Sequence, residues 1–83
     1  MLRLRIPVNE QFVFSQEDAA RLANHLSRFD SSIMIQDRNR TINAKSLLGI
    51  LSLGYLQSDA LDFIVDGGDE ESVCLAIREY FHI

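Results

Sequence analysis

The chain is short of positive charge: eight lysines and arginines stand against twelve aspartates and glutamates, a net of −4 with histidines neutral. That balance is poor for holding a phosphate backbone, and direct nucleic-acid binding is not expected. Cysteine is nearly absent. Cys74 alone cannot close an internal disulfide, and its place in a helical pattern predicts a buried or half-buried thiol rather than a reactive one. No apolar run approaches the roughly 20 residues that a membrane-spanning helix needs. The first residues, with Arg3 and Arg5 inside an alternating pattern, contain no secretory apolar region, so no membrane association and a cytoplasmic location are expected. Also missing are a Cys/His metal set, a nucleotide loop and a nucleophile–base pair. Asp59, Asp62, Asp66, Asp69, Glu70 and Glu71 are numerous, but their spacing matches no calcium loop. The expectation is a chain with no metal, no cofactor and no catalysis of its own. With no linker, repeat or low-complexity tract, residues 1–83 form one domain.

What is present is patterned apolar residue, 47% of the chain, which excludes disorder. Leu2, Leu4, Ile6 and Val8 alternate with Met1, Arg3, Arg5 and Pro7, the pattern of a strand with one buried face. Pro7 lacks a donor and belongs at a strand end or an unpaired edge. After a connection from Asn9 to Phe14, Ser15-Gln16-Glu17-Asp18 fits a capping box in which Ser15 and Asp18 satisfy each other's amides. Ala19, Leu22, Leu26 and Phe29 then recur at helical spacing beside Ala23. Ile33 and Ile35 define a second strand. Asp37-Arg38-Asn39-Arg40 predicts a tight turn, with Asn39 taking positive φ, into a short strand over Thr41 to Asn43. Tyr55 to Asp59 is a loop, followed by a strand through Leu61, Phe63 and Val65. Asp66-Gly67-Gly68 turns the chain, and Asp69 is placed to cap a helix whose stripe is Val73, Ala76, Ile77 and Tyr80. Phe81 and Ile83 are expected to close one end of the core. The order β-α-β-β-α-β-α predicts an α+β fold: an open-faced β-sandwich of four mostly antiparallel strands, one face covered by three helices.

One stretch stands apart. Ser46 is placed to accept from the free amides of a following turn, and Leu47, Leu48, Ile50, Leu51 and Leu53 come within seven positions. One short helix cannot hide that much apolar surface on a single face, so part of it stays exposed. Two readings remain open: a contact site that phosphorylation of Ser46 could switch, or a capping serine on a buried connecting helix.

The run Asn43-Ala44-Lys45-Ser46-Leu47-Leu48-Gly49-Ile50-Leu51-Ser52-Leu53-Gly54 resembles the regulatory-serine signature of the histidine-containing phosphocarrier (HPr) family of the bacterial sugar phosphotransferase system. Gly67 and Asp69 before an alanine-containing last helix are similar too. The resemblance implies an HPr-like open-faced sandwich. It also exposes a departure, because phosphate-carrying members have G-hydrophobic-H-A-R-P at the start of the first helix. That register falls on Val13-Phe14-Ser15-Gln16-Glu17-Asp18, with Ser15 in the position of the accepting histidine and Glu17 in that of the steadying arginine. His25 and His82 lie inside the first helix and near the chain end, as ordinary partly exposed histidines. The resemblance therefore implies a non-catalytic offshoot similar to catabolite-repression HPr-like proteins, regulated at Ser46 by a serine kinase/phosphorylase and meeting a transcription regulator, with no histidine relay. Lys45, Leu47, Leu48, Leu51, Ser15 and Glu17 would form the partner surface. A phosphorylation-independent adaptor and a residual phosphocarrier role stand as alternatives. Exposed leucines serve a second copy of the chain as well as a foreign partner, so a homo-oligomer stays open.

Overall fold

The computed structural model of the protein describes residues 1–9, 12–56 and 59–83. Its elements follow the expected order: β1 (Leu2–Pro7), α1 (Gln16–Leu26), β2 (Ser32–Asp37), β3 (Arg40–Asn43), α2 (Leu47–Leu51), β4 (Ala60–Asp66) and α3 (Glu70–Phe81). The connections expected at Asn9 to Phe14 and Tyr55 to Asp59 fall partly outside the described residues.

The strands form one sheet in the order β1-β4-β2-β3, every neighbouring pair antiparallel. Strand alternation sends Ile6, Ile33, Ile35, Leu61, Phe63 and Val65 to one face, where all are buried. Register makes this a continuous floor: Ile35 lies opposite Phe63 on one side and Ile42 on the other. The helices cover that face with Ala19, Leu22, Ala23 and Leu26 from α1, Ile50 from α2, and Val73 and Ile77 from α3. The opposite face is open and polar, and there Asp62 holds both Arg5 and Arg3, at 2.9 and 3.4 Å. The Arg5 guanidinium keeps the Asp62 carboxyl below the ordinary carboxylate range. Pro7 ends the edge strand β1 as its missing donor requires. No helix among the described residues is long and apolar enough to cross a membrane.

Four expectations are corrected. Positive φ in the β2–β3 turn belongs to Arg38 (57°), not Asn39. Asp37 and Arg40 are paired, so Arg38 is the first residue of a two-residue hairpin loop, a position where the right-handed strand twist demands positive φ. Leu2 is 38% exposed, because it lies at the start of an edge strand where cover from the helices ends. Ile83 is also exposed, whereas Phe81 packs on the core as expected.

The fourth correction concerns Asp69. It occupies the position before α3, but its side chain caps nothing in that helix. Its carboxylate instead accepts from the backbone amides of Asp30 and Ser31, at 2.9 and 3.0 Å, and from the Ser31 hydroxyl. Those donors, the hydroxyl foremost, hold the Asp69 carboxyl below the usual range. The α1–β2 loop, which ends without glycine, gets its amides satisfied by a residue 38 positions away. Gly67 makes this approach feasible, since a Cβ there would fall 2.5 Å from the Ser31 hydroxyl oxygen.

Candidate functional site

The stretch from Asn43 to Tyr55 is assembled by short-range bonds that account for its residue types one by one. Asn43 ends β3, and its side-chain oxygen accepts from the Lys45 amide at 2.9 Å while its carbonyl accepts from the Ser46 amide at 3.1 Å. That turn leaves Ala44 fully buried, its amide bonded to the Ile33 carbonyl. Ser46 follows with extended backbone, and its Oγ accepts from the Gly49 amide at 3.1 Å, as expected of the residue that opens α2. Gly49 has little room for a side chain: a Cβ would meet the Asn43 carbonyl oxygen at 3.2 Å and the Ser46 Cβ at 3.3 Å. Ser52 returns its hydroxyl to the Gly49 carbonyl, and Gly54 takes a left-handed φ of 52° to leave the helix.

The apolar run then divides by direction. Ile50 and Leu53 point into the core and are buried, Leu47 and Leu51 are half-buried against it, and Leu48 stands 78% exposed. The exposed apolar surface expected here is thus centred on Leu48. Tyr55, just beyond, is 81% exposed and was not signalled by any pattern.

Two further residues escaped sequence reasoning. Asp37 is fully buried, and its carboxylate takes the Arg40 guanidinium at 2.6 Å. The same guanidinium donates to the Leu53 carbonyl at 2.7 Å and the Tyr55 carbonyl at 3.0 Å. The first residue of β3 therefore holds the chain leaving α2, fixing where Tyr55 emerges. The one available signal was an acid and an arginine three apart in a polar turn, which is indistinguishable from ordinary loop composition.

Lys45 and Ser46 lie with the three leucines in this unit, but the Lys45 ammonium is committed elsewhere. Its Nζ donates to the Phe29 carbonyl at 2.7 Å, on the turn that follows α1. Ser15 and Glu17 lie on a different helix. Ser15 opens α1 with its Oγ accepting from the Asp18 amide at 3.0 Å. Glu17 and Asp18 both face Arg21, at 3.1 and 3.6 Å, so the Asp18 carboxylate is turned along the helix rather than back to Ser15. The mouth of α1 is thus a satisfied cap beside two paired carboxylates. His25 and His82 stand on α1's last turn and at the end of α3, the latter in a left-handed conformation. Cys74 is half-buried on α3, and burial pushes its thiol up and keeps it protonated. Among the described residues no cluster of His, Cys, Asp and Glu could hold a metal ion.

Comparison with known proteins gives a consistent result. The profile of the family described as "PTS HPr component phosphorylation site" matches residues 14–82. The phosphocarrier protein HPr of Treponema pallidum is 35% identical over 63 residues, covering 76% of this chain and 72% of that protein. The crystal structure of HPr-C-His from Thermoanaerobacter tengcongensis is 30% identical and superposes with a TM-score of 0.81 over 95% of this chain and 89% of that one. An HPr dimer from the same organism, also 30% identical, superposes with a TM-score of 0.71 over 99% of this chain and 94% of that one.

Proposed function

The chain belongs to the HPr family of non-catalytic phosphocarrier and regulatory proteins, and we propose that it is a regulatory member switched by phosphate at Ser46, with no histidine relay. The observation that carries this reading is the pairing of Ser46 Oγ, at the mouth of α2, with the exposed Leu48 two residues on. Phosphorylation adds about −1.5 to −2 charges and three acceptor oxygens. Placed on Ser46, they meet the positive end of α2's backbone dipoles. They also compete with the Phe29 carbonyl for the Lys45 ammonium. An apolar contact would thus gain a charged neighbour, a change a partner can read.

Loss of the relay rests on chemistry at the other helix. The resemblance puts Ser15 where carriers have the accepting histidine and Glu17 where they have the arginine. A serine phosphate is an ester and a poor onward donor, whereas a carrier uses the labile P–N bond of a phosphoimidazole. Glu17 and Asp18 disfavour an arriving anion, and Ser15 already occupies an amide that could hold it. The partners on this reading are a serine kinase/phosphorylase and a transcription regulator. A second copy of the chain is a further occupant for Leu48, as one relative has been crystallised as a dimer.

A second reading, an adaptor that is never phosphorylated, is favoured by one observation: the Ser46 hydroxyl is already used as a cap. Binding distinguishes the two. Wild type, Ser46→Asp and Leu48→Asp are compared as baits for a carbon-regulation transcription factor of the family's usual kind. The switch requires Ser46→Asp to bind better than wild type and Leu48→Asp to lose binding. Equal capture by wild type and Ser46→Asp, with loss in Leu48→Asp, would establish the adaptor instead.

A further inference from the structure

Residues of α1 and α3 line a groove made of two hollows that share part of their walls. One, of about 570 Å³, is lined by Arg21, Asn24 and His25 of α1, by Arg28 of the turn after it, and by Glu79 and Tyr80 of α3. The other, about 480 Å³, shares Arg21, Glu79 and Tyr80 and continues past Asp18 to Phe12, Phe81 and His82. Arg21, Asn24 and His25 fall at i, i+3 and i+4 on one face of α1, and Arg28 follows in the turn that leaves it. The first hollow gathers the donors of Asn24, His25 and Arg28 beside the Glu79 carboxylate, and the second adds the rings of Phe12 and Phe81 beside Asp18.

At the first end, Arg28 folds over the end of α1, its Nη2 2.6 Å from the His25 Nδ1 and its Nε 3.3 Å from the His25 carbonyl. A guanidinium has no acceptor, so the Nδ1 accepts and the imidazole N–H sits on Nε2. Arg28, the His25 Nε2–H and the Asn24 amide are donors with exposed or half-exposed side chains. Arg21 is drawn towards Glu17 and Asp18, which leaves Arg28 as the principal positive charge. At the second end, Phe12 and Phe81 are half-buried members of an aromatic cluster with Phe14, Phe63 and Tyr80, their ring centroids 4.9 to 6.3 Å apart. The Tyr80 hydroxyl donates to the Asp18 carbonyl at 3.0 Å, which fixes its ring between the two ends. Neither hollow involves Ser46 or Leu48.

We infer that this groove binds a small organic anion, its phosphate, sulfonate or carboxylate head at Arg28, His25 and Asn24 and its apolar ring or chain along Tyr80 towards Phe12 and Phe81. Charge complementarity selects the head, and the aromatic wall selects the body. The site is open, and a ligand of about ten heavy atoms should bind with a dissociation constant on the order of a millimolar.

Benzenesulfonate, whose charge does not titrate, is the direct probe in an amide chemical-shift titration, with sulfate and benzyl alcohol as the head-only and body-only comparisons. Saturable shifts at residues 21–28 and 79–82 with benzenesulfonate, and weaker ones with either fragment, are expected. Arg28→Gln should weaken binding about fivefold and Glu79→Gln should tighten it about twofold, effects sized for exposed charges. Both side chains lie on the surface, and an unchanged melting transition confirms that each variant is folded. Shifts that fail to saturate, that centre on α2, or that are indifferent to both charge changes would overturn the assignment.

Discussion

The residue whose removal should cost most outside the apolar core is Arg40. Its partner Asp37 is fully buried, and deleting Arg40 takes from that carboxylate the cation 2.6 Å away. Because the Arg40 side chain is 30% exposed, Arg40→Ala should lose about 2–3 kcal/mol rather than the full value for a sealed pair. Urea unfolding measures this, and the double variant with Asp37→Ala should lose less than the sum of the two single losses. The carboxylates set the acid response. Asp62, Asp69 and Glu70 all have folded-state pKa values below their ordinary ones, through Arg5, the Ser31 hydroxyl and the Gly67 amide respectively. Their contribution is complete above the unfolded values and drains away as pH falls through the lower folded values. Stability should therefore decline below about pH 4, and Asp69→Asn should flatten part of that decline in urea midpoints taken against pH. At this scale the serine caps were read correctly from partners close along the chain, whereas the Asp18 carboxylate, expected back at the Ser15 amide, faces Arg21. Ser15 and Ser46 cap as expected because their donors lie three residues ahead. Asp69 looked identical by that criterion, yet its donors come from Asp30 and Ser31, and only the assembled sheet brings them near.

Among the elements, α2 is where pattern and packing part. Five apolar residues in seven positions signalled more surface than a short helix hides, and that was correct. Which of them would face outward was not legible, because a helix of five residues has too few turns to define a stripe, and its orientation is set by Asn43 before it and Arg40 after it. Substitution separates the faces. Ile50→Ala should cost about 2–4 kcal/mol as a buried truncation, whereas Leu48→Asp should stay within about 0.5 kcal/mol of wild type. Ser46→Ala, removing the cap, should cost about 1 kcal/mol. Denaturant midpoints at constant slope report all three, and a Leu48→Asp loss matching that of Ile50→Ala would mean that Leu48 is a packing residue. The longer elements α1, α3 and β4 were legible from periodicity, since each places at least three apolar residues at its own spacing.

For the whole molecule, the order of elements and the single-faced sheet followed from alternation and helical spacing, which act locally and add up. The candidate site was legible as a sequence run, while the clamp from Arg40 and the commitment of Lys45 to Phe29 were not, since both join segments that composition treats as separate loops. The arrangement places one satisfied serine cap beside paired acids at α1, and another beside an exposed leucine at α2. On the proposed function these two helix mouths have different fates when phosphate is offered. The decisive measurement is the position and acid stability of phosphate on the intact protein after incubation, in parallel, with phosphoenolpyruvate plus the phosphotransferase system's first enzyme and with ATP plus the family's serine kinase. A switch at Ser46 without a histidine relay requires no phosphate from the first mixture and one acid-stable phosphate from the second, on Ser46 and absent in Ser46→Ala. Acid-labile phosphate on His25 or His82 from the first mixture, or an unmodified Ser46 from the second, would contradict it.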